Sequence, residues 1–505
     1  MDFLNSGDDA VGKEILGYAG EKGMLLNEQA LGLLRQRMNW REIVDELSAE
    51  NLFVVKAADV ERKTVKTKVN LFEKEVSVES SAFRPESKDT EANFRIMEEY
   101  DVTGKSYSEG TIKDFLAMFH SKFETLSEIL KKRHTLKPKP ISRLKSVSLR
   151  NEIDVIGMVF EKWVSKKGHL AIKIEDMEGT CIALIPKDDQ KLKDARDKII
   201  ADDVIGIRGT KISDDMIIVK DVFWPDLPQR NTHGIGKDLR LAGLSDIHIG
   251  SKKFLEKEFG KFIEWINGKG LSGKEAAEVG KIKYITITGD NVDGIGVYPG
   301  QYDDLAIKDI NRQYEVLTDY LLQIPEYIEV FVIPGNHDAV RNADPQPALP
   351  KKIVPELYGS KNIHLIGSPG WVEIEGLKTL LYHGGSMHDL FASVSGLNSS
   401  QPEKGMIELL KRRDLMPSYG MKHPYVPEKK DYMIIREEPD MFFTGDLHHN
   451  GYGHYRGVLA VNSGTWQSRT DYQVRLGHYP TPGVVPVIDL RDLSVKENSF
   501  CSENL

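Results

Sequence analysis

Five short segments of the chain carry side chains that hold divalent metals. They are Asp246 and His248 in SDIHIG, Asp290 in TGD, Asn336, His337 and Asp338 in PGNHD, His383 in YHGG, and Asp446 and His448 in TGDLHH. They follow one another at intervals of about 40–65 residues, each at the end of an apolar run. Alone, each is weak, because Gly-Asp is a common turn and HGG occurs by chance. Together they are His, Asp and Asn groups delivered from separate loops. A pair of divalent ions about 3.5–4 Å apart requires that supply: a bridging carboxylate and further nitrogen and oxygen ligands. Gly289, Gly335, Gly384 and Gly445 let the backbone turn sharply enough for the side chains to converge.

The elements that must position these residues begin near 238. DLRLAGLSDIHIG, KIKYITITGD, EVFVIPGNHD, LKTLLYHGGS, DMFFTGDLHH and VLAVNSGTW are apolar runs ending in polar residues, and helical stretches separate them. This is α/β patterning, with the polar ends at the carboxyl ends of strands, where open α/β sheets place ligands. Between about 145 and 228 the pattern is different. EIDVIGMVFEKWV, HLAIKIED, TCIALIP, DVIGIRGTKI and MIIVKDVFW are short β-type runs, with one helical segment after the third. Five strands so arranged predict an OB-fold barrel. Few of its aromatics suit base stacking, so a protein interface is the preferred role over single-strand binding.

Residues 1–60 read as a small helical module for docking, with Asn27 and Asn39 as N-caps. Residues 61–95 are polar, low in periodicity and rich in Lys, Glu and Ser, which predicts a mobile linker. Residues 109–133 form an amphipathic helix whose stripe is Ile112, Phe115, Leu116, Phe119, Phe123, Leu126 and Leu130. LKPKP at 136–140 is a stiff connector. GKGLSGKE at 268–275 nearly matches a phosphate-binding loop, but it ends in Glu275 and follows a helical stretch, so it is read as a loop.

The bulk properties bound the function. A chain of 505 residues predicts about three domains. Hydrophobic residues make up 40% and charged residues 29%, as in a globular protein, and no apolar run nears the ~18 residues that cross a membrane. MDFLNSGDDAVGKE has no signal-peptide core, and Cys181 and Cys501 form neither a disulfide framework nor a zinc knuckle. A cytoplasmic location is expected. The net charge of −9 is not the footprint of a stand-alone nucleic-acid binder. Action on DNA would need a basic patch or a partner subunit.

The order D-x-H, G-D, G-N-H-D, H-G, G-x-x-H resembles the calcineurin-like metallophosphoesterase superfamily. With an OB fold ahead of it and Trp466 in NSGTWQSRTDYQ, the chain resembles the small subunits of archaeal family D DNA polymerases. That resemblance is strong over about 145–505. It implies a two-sheet α/β phosphodiesterase domain at 238–505, an OB domain at 141–230, a linker with an amphipathic helix at 61–140 and a helical module at 1–60. It implies a metal-dependent 3′–5′ proofreading exonuclease acting on single-stranded or mispaired DNA 3′ ends, bound to a large polymerising subunit. Asp246, His248, Asp290 and His448 would hold the first ion, and Asp290 would bridge. Asn336, His383 and Asp446 would complete the second. His337 would bind the scissile phosphate and protonate the departing 3′ oxygen, with Asp338 orienting it. The oxygen-rich set suits Mn²⁺ or Mg²⁺, with Fe or Zn as other possibilities.

One position departs. The family has G-H-x-H where this chain has Gly445-Asp446-Leu447-His448. Aspartate has a shorter reach than imidazole and adds a negative charge. Two alternatives to the exonuclease therefore stay open: a scaffold subunit with weakened chemistry, and a phosphoesterase of another substrate class. Among the fourteen histidines, His388, His423 and His454 are candidates to line a DNA path. His120, His134, His169, His233 and His364 have no supporting motif and are read as structural. His449 would serve only if its loop slipped by one residue.

Overall fold

The structure is a computed structural model. It describes residues 10–35, 40–49, 54–57, 59–60, 83–133, 135–231, 233–475 and 477–501. Asn39, His134 and most of the expected linker, residues 61–82, lie outside the described residues. The chain divides into two units, Met1–Ala82 and Phe83–Leu505.

In the first unit, helices α1 (Ala10–Glu21), α2 (Glu28–Arg35) and α3 (Trp40–Ala49) accompany two short parallel strands, β1 (Leu25–Leu26) and β2 (Val54–Val55). Ile15, Leu31, Leu34, Ile43, Val44 and Leu47 recur at helical spacing and form its core. Asn27 caps α2, its Oδ1 accepting from the Ala30 amide at 2.8 Å.

The second unit starts earlier than its polar composition suggests. The expectation of a mobile linker to residue 95 is corrected here. Ser87 is buried and its hydroxyl donates to the Ile282 carbonyl at 2.9 Å. Phe94–Ile96 forms strand β3, which pairs with a strand nearly 280 residues on. That pairing is non-local, and a three-residue strand has no periodicity to betray it. Helix α4 (Ile112–Arg133) follows. Its buried face runs through Met118, Lys122, Leu126 and Leu130, whereas Ile112 and Leu116 are exposed. Lys122 is buried because its ammonium pairs with Asp414 at 2.7 Å and donates to the carbonyls of Met416 and Pro417.

Strands β4 (Glu152–Val164), β5 (Leu170–Glu175), β6 (Thr180–Ile185), β7 (Val204–Ser213) and β8 (Met216–Phe223) close into a barrel in the order β4-β5-β6-β8-β7. The inward set of each strand, including Ile153, Val155, Ile172, Ile174, Ile205 and Ile217, fills the interior. A short helix, α5 (Lys193–Lys198), lies between β6 and β7.

The rest is built on two six-stranded sheets. The first contains β9 (Arg240–Leu244), β10 (Ile282–Thr288), β11 (Glu329–Ile333) and β12 (Ile363–Leu365) in parallel. The second contains β13 (Gly370–Ile374), β14 (Leu377–Leu381), β15 (Met441–Thr444), β16 (Gly451–Tyr455) and β17 (Val458–Asn462), with β3 at its edge. Strands β18 (Val484–Asp489) and β19 (Ser494–Ser499) complete the first sheet. Leu241, Tyr284 and Phe331 from one sheet share a core with Leu381, Phe443 and Val461 from the other. Gly243 marks how close the sheets come, since a Cβ there would lie 3.2 Å from the Phe443 ring. Helices α6 (Glu256–Ile266) and α7 (Ile310–Leu321) make the crossovers between parallel strands. The fold is mixed α/β with a small barrel.

The segment 268–275 is loop as far as Ser272 and helical from Gly273, where the helix Gly273–Val279 begins. Among the described residues, no helix is long and apolar enough to cross a membrane.

Candidate metal centre

All five motifs lie just past the carboxyl ends of strands. Asp246 and His248 follow β9, Asp290 follows β10, and Asn336 to Asp338 follow β11 in the first sheet. His383 follows β14, and Asp446 and His448 follow β15, in the second. The turns are strained. Asp246, His248, Asp290, Asp446 and His448 have φ of 51°, 54°, 49°, 64° and 54°, a left-handed region that side-chain-bearing residues rarely adopt. Such strain persists where surrounding packing enforces it and clusters at functional sites. Gly335 is required by close approach, because a Cβ there would lie 2.2 Å from Asp290 Oδ1.

The side chains converge on two overlapping groups able to hold a cation: Asp246 with His248 and His448, and Asp246 with Asp290 and His383. His448 Nε2 lies 3.4 Å from Asp246 Oδ1 and His248 Nε2 lies 3.8 Å from it. Asp290 faces both groups, with Oδ2 at 3.7 Å from His248 Nε2 and Oδ1 at 3.4 Å from His383 Nε2. Asn336 Oδ1 lies 3.0 Å from His383 Nε2. Asp446 Oδ1 is 3.6 Å from the same nitrogen, so this aspartate does reach the cluster. The donors fit a cation on a further observation: Asp246 Oδ1 is buried with no hydrogen-bond partner among the protein groups, a costly state for a carboxylate oxygen.

The charges are mutually dependent. Burial opposes a charge on His248, but the hydrogen bond to Asp293 and the carboxylates of Asp290 and Asp246 outweigh it and lift its pKa to about 9. His383 is likewise raised well above the imidazole range, burial being overcome by Asp290, Asp446 and Asp246. Burial would raise Asp290, yet His383, His337 and His248 hold its carboxyl far below the usual range. Asp446 is held low by His388 and His383 against the same burial.

A layer behind the cluster was not visible in the sequence. Asp293 Oδ1 accepts from His248 Nδ1 at 3.0 Å and from Gln467 Nε2 at 3.0 Å. Gln473 Nε2 lies 2.9 Å from His448 Nδ1. Asp293 stands three residues after Asp290 in GDNVDG, the one signal that could have pointed to it. It also forms a third, overlapping cluster with His248 and His337.

The expected role of Asp338 needs correction. Its carboxylate does not orient the His337 ring. It accepts from the Gly335 amide, the Asn291 amide and side chain, and the Tyr314 hydroxyl, so it fixes the loop backbone. The His337 ring is held instead through Nδ1, which donates to the Asp293 carbonyl at 2.7 Å. Oδ2 takes three of these donors and Oδ1 the Tyr314 hydroxyl, and the His337 ring is not among the partners.

The remaining histidines separate. His388 Nε2 lies 3.0 Å from Asp446 Oδ2. His423 pairs with Asp344 at 2.8 Å, and Tyr382 donates to the same oxygen. His454 is exposed on β16. His364 pairs with Glu329, and His449 turns to its own loop, with Nδ1 at 3.1 Å from the Asn450 carbonyl.

Residues 245–454, which span every member of the cluster, match the family of DNA polymerase alpha/epsilon B subunits. The DNA polymerase II small subunit of Methanocaldococcus jannaschii is 43% identical over 411 residues, covering 81% of this chain and 69% of that protein. The chain belongs to the DNA polymerase II small-subunit family. The small subunit of Methanothermobacter thermautotrophicus is 36% identical over 94% of this chain and 98% of that protein. That of Archaeoglobus fulgidus is 42% identical over 77% of each. Likeness to these small subunits thus extends well beyond the metal cluster.

Proposed function

We propose that this chain is the 3′–5′ exonuclease subunit of an archaeal replicative DNA polymerase. It hydrolyses phosphodiester bonds at single-stranded or mispaired 3′ ends while bound to a large polymerising subunit. Asp290 carries the reading, because its two oxygens face different histidines, His248 at 3.7 Å and His383 at 3.4 Å. Asp246, His248, His448 and Asp290 would hold one divalent ion, and Asp290, His383, Asn336 and Asp446 the second. The mixed oxygen and imidazole donors fit Mn²⁺ or Mg²⁺. Bound there, the ions supply Lewis-acid polarisation of the phosphoryl group and lower the pKa of water.

The protein groups then have distinct tasks. Asp293 and Gln473 fix the His248 and His448 rings from behind. His337 keeps its Nδ1 on the Asp293 carbonyl, which leaves Nε2 as the atom that would carry the transferable proton. That proton goes to the departing 3′ oxygen, and the same atom binds the scissile phosphate. Asp338 holds the Gly335–Asp338 turn that carries His337.

In this reading the five-stranded barrel is an OB fold used as a subunit interface, and the two-sheet region is a calcineurin-like phosphodiesterase domain. The large subunit supplies much of the attraction for DNA, since the net charge here is −9. The first unit is a docking module, and the complex is cytoplasmic.

Asp446 favours a second reading, a scaffold subunit with weakened chemistry. Degradation of a 5′-labelled single strand in Mn²⁺ decides between them. A ladder shortening from the 3′ end, abolished by His337→Ala, is expected. No cleavage with metal saturating and the large subunit added would leave the scaffold. Cleavage of phosphopeptide but not DNA would point to another phosphoesterase.

A further inference from the structure

Two loops meet at Asp446. Its amide donates to Asp246 Oδ2 at 3.0 Å, and its Oδ1 faces His383 Nε2 at 3.6 Å. Its Oδ2 turns the other way and lies 3.0 Å from His388 Nε2, an ion-pair contact outside hydrogen-bond geometry. His388 is the second residue of the helix Met387–Ser393, which opens just after the His383-Gly384-Gly385 turn. The two loops are packed backbone to backbone. A Cβ on Gly384 would lie 3.1 Å from the Gly445 carbonyl and 3.5 Å from Asp446 Cβ. The main chain thus holds the turn that precedes His388 against the turn that carries Asp446. The His388 side chain is 58% exposed and that of Asp446 12%, so the histidine closes the outer side of the aspartate.

We infer that His388 is a positioning residue for Asp446: it binds Oδ2 and thereby aims Oδ1 at the second divalent ion. The inference rests on the two-ion reading above. An aspartate is shorter than the histidine it stands for, and its carboxylate turns freely unless one oxygen is held. It also stands near Asp290, whose charge opposes its own. An imidazole nitrogen 3.0 Å from Oδ2 limits how far the carboxylate can turn. Hydrogen-bond partners of ligating carboxylates typically contribute about 10–100-fold to metal affinity.

The test is a titration of the chelator-stripped full-length chain with Mn²⁺, reading free Mn²⁺ by electron paramagnetic resonance. Wild type should bind two ions. His388→Ala should keep one ion at unchanged affinity and weaken the other by about 10–100-fold. His388→Gln should lose less, because its amide still donates. In an Asp446→His background, His388→Ala should leave the second ion unaffected, since the histidine would need no support. Matching melting temperatures of the metal-free proteins exclude misfolding as the cause. Unchanged binding of both ions by His388→Ala would overturn the inference alone, and so would an equal loss in the Asp446→His background. Fewer than two ions on the wild type would overturn the two-ion reading, and this inference with it.

Discussion

The Nε2 atoms of His248 and His448 lie 3.0 Å apart, although 200 residues separate them in the chain. One ring follows a strand of the first sheet and the other a strand of the second. Each is gripped from behind, by Asp293 and by Gln473. The cluster therefore depends on how the two sheets face each other as much as on the turns themselves.

Asp293→Asn removes the carboxylate that accepts from His248 Nδ1. The ring then loses its fixed orientation and part of its basicity. Mn²⁺ affinity should fall about 10–100-fold, measured by calorimetric titration, with little change in the melting temperature of the metal-free chain.

Tyr314→Phe tests the loop that carries His337. The hydroxyl donates to Asp338 Oδ1 at 2.9 Å and accepts from the Ala339 amide at 2.7 Å. Losing it leaves the buried Asp338 Oδ1 and the half-buried Ala339 amide unpaired. Unfolding in denaturant should show a loss of about 1–3 kcal/mol, and a smaller loss would mean that the loop relaxes.

Gly335→Ala places a Cβ 2.2 Å from Asp290 Oδ1 and 2.4 Å from the Asp290 amide nitrogen. The carboxylate has no room to retreat between His248 and His383. Overpacking of this kind costs about 1–3 kcal/mol, and the displaced Asp290 should bind Mn²⁺ weakly. Wild-type affinity in this variant would contradict the placement of Asp290.

In chelator-treated protein, stability should depend on pH through His248. Its folded pKa is raised from 6.5 to about 9. A raised histidine pKa contributes stability that is fully present below 6.5 and is lost as pH rises through about 9. His383 shifts in the same direction. Denaturant midpoints should fall across that window. Metal affinity should rise over the same range, because binding displaces the His248 proton. A flat apo profile would show that the carboxylates do not hold these imidazoles charged.

The first layer of this site was legible because each member stands at the end of an apolar run, with a glycine beside it in four of the five turns. The layer behind it was not. Gln473 is chosen by three-dimensional neighbours and nothing in its local pattern marks it, while Asp293 is marked only by its place three residues after Asp290. The sequence offers His388 only as a candidate to line a DNA path, since nothing local joins it to Asp446. Adjacent numbering suggested that Asp338 serves His337, whereas its oxygens are consumed by backbone and Tyr314. The same limit applies to the fold. Barrel strands were readable as short β-type runs between turns, while β3 was hidden because three residues at a sheet edge owe their conformation to a distant partner. On α4, apolar spacing put Ile112 and Leu116 inward, but the packed face turns toward the buried Lys122–Asp414 pair.

The central claim is that Asp290 bridges two divalent ions. Crystals of the chain grown with Mn²⁺ and measured at the manganese absorption edge test it most directly. The account predicts two anomalous peaks flanking Asp290, one against Asp246, His248 and His448 and the other against His383 and Asp446. A single peak, or peaks away from Asp290, would contradict it.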